Sequence, residues 1–293
     1  MNTQKYIEEN TAVLKGKCVV LSGATGGLGR KLSRYLAPSG VKLILLNKDP
    51  KKAAGLRNSL LMKYPQADIK SFSADFSDID AVKKLCAELS ELPVDYLIHN
   101  AGAYAMPRGK NELGVDNEFQ INFLSPYYIS RKLLPLLEER KAKIILTGSI
   151  AHRAASADSA DIDYSRHRSD VQLYGNSKRF LMYSHIMLVV KHPGIELSIA
   201  HPGICPTGIT SHYPAALRAF IKLPMTLGFM GPGRACLPLL NAIHRETLHY
   251  SWIGPNFFGI WGKPGLNVLK GCSEKEQKLI FDTAEKLYRE MDS

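Results

Sequence analysis

Lys17-Cys18-Val19-Val20-Leu21-Ser22-Gly23-Ala24-Thr25-Gly26-Gly27-Leu28-Gly29 decides the architecture of this chain. An apolar run of strand character enters a glycine-rich turn, and a helical pattern from Arg30 to Leu36 follows. Strand, turn and helix N-terminus together build a cradle of backbone N–H groups for a pyrophosphate. The glycines permit the tight turn and close approach of a ligand. Outward from this unit the pattern repeats. Val41 to Leu46 reads as a strand ending at Asn47-Lys48, and Pro50 to Met62 as a helix with proline at an early position. Ile69 to Ala74 is a third strand ending at Asp75-Phe76, Asp80 to Leu89 a helix, and Val94 to Ile98 a fourth strand closing on His99-Asn100-Ala101-Gly102. Such alternation predicts a parallel sheet with helices on both faces and a ligand rim at the strand ends.

In the second half, Glu112 to Leu137 contains a long helix carrying Asn122, with a local kink at Pro126. A strand from Lys143 to Gly148 delivers Ser149, and a polar insertion, 151–173, loops over the rim. Val171 to His192 is a helix bearing Tyr174, and Glu196 to Ala200 a sixth strand ending at His201-Pro202-Gly203. Segment 210–232 is aromatic and apolar without clean periodicity; it reads as a substrate lid, a membrane-touching patch or a helix packed on the core. Arg234 to His244 is helical, Tyr250 to Ile253 an edge strand, and Ser273 to Met291 a terminal helix with a Ser273/Glu276 capping box. The expected fold class is α/β: one domain over 1–293 with a doubly wound parallel sheet of about seven strands, an N-terminal extension 1–15 and a C-terminal lid at about 204–232.

The chemistry concentrates between Ser149 and Lys178. Tyr174 and Lys178 are four residues apart, on one helix face, and an ammonium beside a phenol favours the phenolate. Tyr128 and Lys132 have the same spacing but no hydroxyl at the end of a strand upstream. At the end of the second strand an acidic residue would take ribose hydroxyls and a basic one a 2′-phosphate; Lys48 stands there, which favours NADP over NAD. His244 and His249 are five apart and diverge on a helix, so no metal site is expected.

Composition is that of a globular chain, 45% hydrophobic and 22% charged, with a formal net charge of +11. Lys and Arg are dispersed without a dense basic tract, so a solvated surface with a local anion site is favoured over nucleic-acid binding. Five scattered cysteines without a Cys-x-x-Cys pair point to a reducing compartment. Without an apolar signal core or a bilayer-length apolar run, a cytoplasmic protein is expected.

With these pieces the chain resembles the short-chain dehydrogenase/reductase family across nearly its whole length. Ser22-Gly23 through Gly27 and Gly29 match its Thr-Gly-x-x-x-Gly-x-Gly turn, and His99-Asn100-Ala101-Gly102 its Asn-Asn-Ala-Gly, each with one change. Asp75, Asn122 and Pro202-Gly203 with Thr207 fall where the family contacts adenine, carries an asparagine and holds cofactor. The 25-residue step from Ser149 to Tyr174 is similar to the retinol-dehydrogenase-like branch, which commonly uses NADP. The resemblance implies an oxidoreductase transferring a hydride between NADP(H) and a hydrophobic carbonyl or alcohol, with Tyr174 as general acid/base, Ser149 orienting the substrate oxygen, Lys178 on the ribose and Asn122 holding a water. It implies a cofactor surface of Ser22, Gly23, Thr25, Gly26, Gly27, Leu28, Gly29, Asn47, Lys48, Asp75, Phe76, Asn100, Ala101, Gly102, Tyr174, Lys178, Pro202, Gly203, Ile204 and Thr207. Family members often pair through the helices after the fourth and fifth strands, so a homodimer is an expectation, as is peripheral membrane contact. The alternative is a catalytically silent nucleotide-binding sensor or scaffold.

Overall fold

The computed structural model describes residues 3–167, 169–203, 231–245, 247, 250–257, 259–269 and 271–293. Strands β1 (Cys18–Ser22), β2 (Lys42–Asn47), β3 (Asp68–Ser73), β4 (Val94–His99), β5 (Lys143–Thr147), β6 (Glu196–Ala200), β7 (Ser251–Phe257) and β8 (Trp261–Val268) form one sheet in the order β3-β2-β1-β4-β5-β6-β7-β8. All neighbours pair in parallel except β7 and β8. The order reverses between β1 and β4, which places a crevice at their carboxyl ends.

Alternation of side chains builds a core on each face. Cys18 and Val20 of β1, with Ile44 and Leu46 of β2, pack into one core; Val19, Leu21, Leu43 and Leu45 pack into the other. Both faces are covered, so the strands read as continuous apolar runs. The first core also takes Phe180, Tyr183 and Ile186 of α8 (Asp170–Lys191) and Ile280, Ala284 and Leu287 of the C-terminal helix (Glu274–Asp292). The N-terminal extension forms α1 (Thr3–Thr11), docked through Ile7 and an Asn241–Asn10 hydrogen bond of 3.3 Å onto helix Leu237–His244.

Three details differ from the sequence-based expectation. The sheet has eight strands: Pro264, Gly262 and Gly265 give β8 the look of a loop, yet an antiparallel edge strand tolerates them, and it turns β7 into an interior strand. The long helix expected within 112–137 is broken into four pieces: Asn117–Phe119, a widened π turn Gln120–Leu124, Ser125–Lys132 and Leu134–Glu139. Pro126 and Pro135, without amide hydrogens, lie at the starts of the last two pieces. The capping box is half formed: Ser273 Oγ accepts the Glu276 N–H at 3.2 Å, while the Glu276 carboxylate turns to Arg179 and the Ala157 N–H. Among the described residues, no helix is long and apolar enough to cross a membrane.

Candidate active site

The glycine turn folds flat against its neighbours. Gly23 has φ +66°, and a Cβ there would lie 2.7 Å from Ala101 Cα; a Cβ on Gly29 would lie 2.2 Å from the Gly23 carbonyl oxygen. Only glycine lets the turn close onto the first residues of α2 (Gly27–Leu36) and leaves the helix N-terminus bare toward the crevice. Ser22 Oγ accepts the Asn100 and Ala101 N–H groups, each at 3.0 Å, and Asn47 Oδ1 accepts the Thr25 N–H at 2.9 Å. The ends of β1, β2 and β4 are thereby fixed to one another. Ser22 is buried and works behind the cavity wall rather than on it.

In front of this turn lies a cavity of about 660 Å³. Its walls include Gly23, Thr25, Gly26, Gly27, Leu28, Gly29, Asn47, Lys48, Asp75, Phe76, Asn100, Ala101 and Gly102 at one end and Ser149, Tyr174, Lys178, Pro202 and Gly203 at the other. A glycine cradle that no Cβ could share, beneath bare helical amides, fits the diphosphate of a dinucleotide. Lys48 Nζ meets Asp75 Oδ2 at 2.6 Å. Burial alone would raise the Asp75 carboxyl, but hydrogen bonds from Lys48 and Ser77 outweigh it and hold the group below its ordinary value. Ile204, Thr207 and the lid segment over 204–230 lie outside the described residues, as does His249.

At the other end the hydroxyl, phenol and ammonium converge. Ser149 leaves β5 as the cap of a short 3₁₀ turn, Ile150–Ala154, accepting the Ala151 N–H at 3.2 Å, and it lines the cavity together with Tyr174. Ser169 caps α8, which carries Tyr174 and Lys178 one turn apart. Lys178 Nζ donates to the Thr147 carbonyl at 3.1 Å and lies 5.8 Å from the centre of the Tyr174 ring. A Cβ on Gly102 would lie 3.4 Å from Lys178 Nζ and 3.1 Å from Asn122 Oδ1, so these two side chains meet at Gly102; Ser149, Tyr174 and Lys178 line the cavity and Asn122 does not.

Two expectations about them change in detail. The Tyr174 phenol is raised, not lowered: burial dominates, the Ser149 hydroxyl opposes it, and the Lys178 ammonium is directed at Thr147 rather than at the phenol oxygen. Burial also lowers Lys178, to about 8. The Asn122 amide is spent on protein groups, accepting the Ala103 N–H at 2.8 Å and donating to the Ala103 carbonyl at 2.9 Å and Ser177 Oγ at 3.1 Å. The second Tyr-x-x-x-Lys pair is structural. Tyr128 Oη at 2.6 Å and Lys132 Nζ at 2.7 Å both bind Asp292 on the C-terminal helix.

Sequence reasoning missed Tyr104, whose ring meets that of Tyr174 edge-on at 5.4 Å and 88°, and the buried Glu118 one helical turn before Asn122. Spacing to Asn122 is the one signal that pointed to Glu118. His99, in the motif that closes β4, does not line the cavity; its Nε2 meets Ser130 Oγ at 2.8 Å, and His185 Nε2 meets the same oxygen at 3.1 Å.

Burial lowers three histidines: His99, and His185 and His201 to about 4. In the unfolded chain they titrate near 6.5, so between about 6.5 and 4 unfolding takes up protons and stability falls as pH falls. The expected loss is on the order of 2 kcal/mol at pH 5 for each of His185 and His201. Urea midpoints should drop markedly between pH 7 and pH 5; equal midpoints would show these rings to be protonated in the native state.

Comparison with known proteins agrees with this geometry. The short chain dehydrogenase family profile matches residues 17–217. The chain is 24% identical over 259 residues to polyprenol dehydrogenase of Mus musculus, spanning 85% of this chain and 75% of that one. It is 24% identical over 237 residues to retinol dehydrogenase 13 of Mus musculus, spanning 78% and 71%. A short-chain dehydrogenase from Sphingobium yanoikuyae in complex with NADPH superposes with a TM-score of 0.62 at 18% identity, covering 79% of this chain and 86% of that one, which establishes likeness of fold. A glycine cradle at the switch point of a 3-2-1-4-5-6-7-8 sheet, a Ser–Tyr–Lys cluster across the crevice and a family profile spanning both lead to one conclusion: the chain belongs to the short chain dehydrogenase family of oxidoreductases and has retinol dehydrogenases among its relatives.

Proposed function

We propose that the protein interconverts a hydrophobic alcohol and its carbonyl compound with NADP(H) as cofactor and Tyr174 as general acid/base. The observation that carries this reading is the convergence of Ser149, Tyr174 and Lys178 in the wall of the cavity that opens on the glycine turn. NADP(H), when bound, supplies or accepts the hydride. The α2 N-terminus and Gly23 to Gly29 would hold its diphosphate, and Lys48 its 2′-phosphate.

In the reducing direction Tyr174 Oη gives its proton to the substrate oxygen, while Ser149 Oγ donates a hydrogen bond to that oxygen and fixes it. Lys178, with a value of about 8, is mainly ammonium at neutral pH and stabilises the phenolate left behind. Tyr104, Met106, Ile150 and Val171 add apolar surface to the cavity, which supports a hydrophobic substrate; the names of two relatives, polyprenol dehydrogenase and retinol dehydrogenase, agree. Following NADPH absorbance with a panel of long-chain aldehydes, ketones and quinones tests the reading. Binding of NADPH without turnover of any of them would favour the silent nucleotide-binding protein.

Cofactor choice rests on Lys48. Its partner in the structure is Asp75, so a 2′-phosphate would share or displace an existing ion pair. Lys48→Asp should shift the ratio of kcat/KM values for NADP(H) and NAD(H) toward NAD(H) by at least about tenfold, the worth of one charged hydrogen bond. An unchanged ratio would remove Lys48 from cofactor selection.

A further inference from the structure

Residues 103–106 form the cavity wall facing Tyr174, and two side chains one helical turn apart pin it. Asn122 holds Ala103 through both its amide groups, and Glu118 Oε2 accepts the Met106 N–H at 3.2 Å. Between the pins Ala105 has φ +53°, a conformation an alanine does not adopt freely, and Tyr104 places its ring edge-on to Tyr174. Glu118 is 3% exposed, and among the described residues its Oε1 is buried without a hydrogen-bond partner. A carboxylate is rarely left half-satisfied in a core unless another demand holds it there.

We propose that Glu118 is a positioning residue of the site, pinning the wall that carries Tyr104 and serving as the counter-charge that keeps Lys178 in its ammonium form. The proposal rests on the reading of Tyr174 and Lys178 as the proton-transfer pair. Every charge facing Glu118 bears on it. Its carboxyl is held up at about 7, chiefly by burial; the Met106 N–H and Arg108, itself paired with Asp170 at 2.8 Å, oppose the rise, while Asp116, which caps the same short helix, and Asp170 at the start of α8 add to it. Asp163 engages the Asp116 N–H at 2.8 Å. Toward the cavity, ionised Glu118 raises both Lys178 and Tyr174, so its loss of a proton near neutrality strengthens the ammonium.

The test needs neither cofactor nor substrate, so it can fail independently of the proposed reaction. In protein labelled with ¹³C at glutamate carboxyls and lysine Cε, one carboxyl resonance should titrate near 7 and vanish in Glu118→Gln, which keeps an acceptor for Met106 but no charge. The Lys178 resonance, assigned with Lys178→Arg, should titrate roughly half a unit or more lower in Glu118→Gln than in wild type. In wild type alone it should also show an early inflection coincident with the glutamate, a readout that survives if the variant does not fold. A Glu118 resonance titrating at the ordinary carboxylate value, or a Lys178 midpoint identical in the two proteins, would overturn the proposal.

Discussion

Tyr174→Phe should lower kcat by at least about 10³-fold while NADPH binding, read by fluorescence quenching, stays close to wild type. Phenylalanine keeps the ring that packs edge-on against Tyr104 and loses only the hydroxyl. Because burial holds the phenol above its ordinary value, it is protonated across the neutral range and is charged with the proton a carbonyl oxygen needs. The helix that carries it remains capped and packed, so a folding defect is not expected. Retention of more than about a tenth of wild-type kcat would exclude Tyr174 as the acid.

The largest effect on stability is expected from Glu276→Gln. Its carboxylate accepts both Arg179 Nε and a second guanidinium nitrogen at 2.6 Å, and the Ala157 N–H at 2.8 Å. Arg179 is on α8 and 4% exposed at its side chain, so one fork joins the tyrosine-bearing helix, the polar insertion and the C-terminal helix. Removing the charge strands a buried guanidinium, a loss of about 3 kcal/mol, or roughly 10 °C in Tm. Replacing both partners together, Arg179→Met with Glu276→Leu, should recover much of it, since no unpaired charge remains. A Tm within about 2 °C of wild type for the single variant would mean that solvent reaches the pair.

How much of this was legible in the sequence depended on whether the constraint was local. The β1–turn–α2 unit is readable because Gly23 and Gly29 satisfy a need that no other residue type meets. The parallel order followed from alternating strand and helix signals. Tyr174–Lys178 and Tyr128–Lys132 are indistinguishable by spacing; Ser149 upstream singles out the first in the sequence, but the structural role of the second rests on Asp292, a partner 160 residues beyond Lys132. The π turn at Gln120–Leu124 carries Asn122, whose bonds to Ala103 and Ser177 no helical periodicity reports. Glu118 reads as a solvated acid on a helix until the 103–106 loop covers it. The rise of the Tyr174 phenol likewise follows from enclosure, a property of the folded crevice alone.

Among the described residues the β7–β8 hairpin joins the parallel strands through one paired rung, Ala200 opposite Ile253, supplemented by the His201 N–H donating to the Ile253 carbonyl at 2.7 Å and by the His201 ring stacked on Trp252 at 4.7 Å. His201 also borders the crevice beside Pro202 and Gly203. The sheet therefore has a seam at its far end, and the suture across it belongs to the wall of the binding chamber. Whatever loosens that margin of the protein reshapes the chamber with it, while the strands that shelter the glycine turn stay as they are.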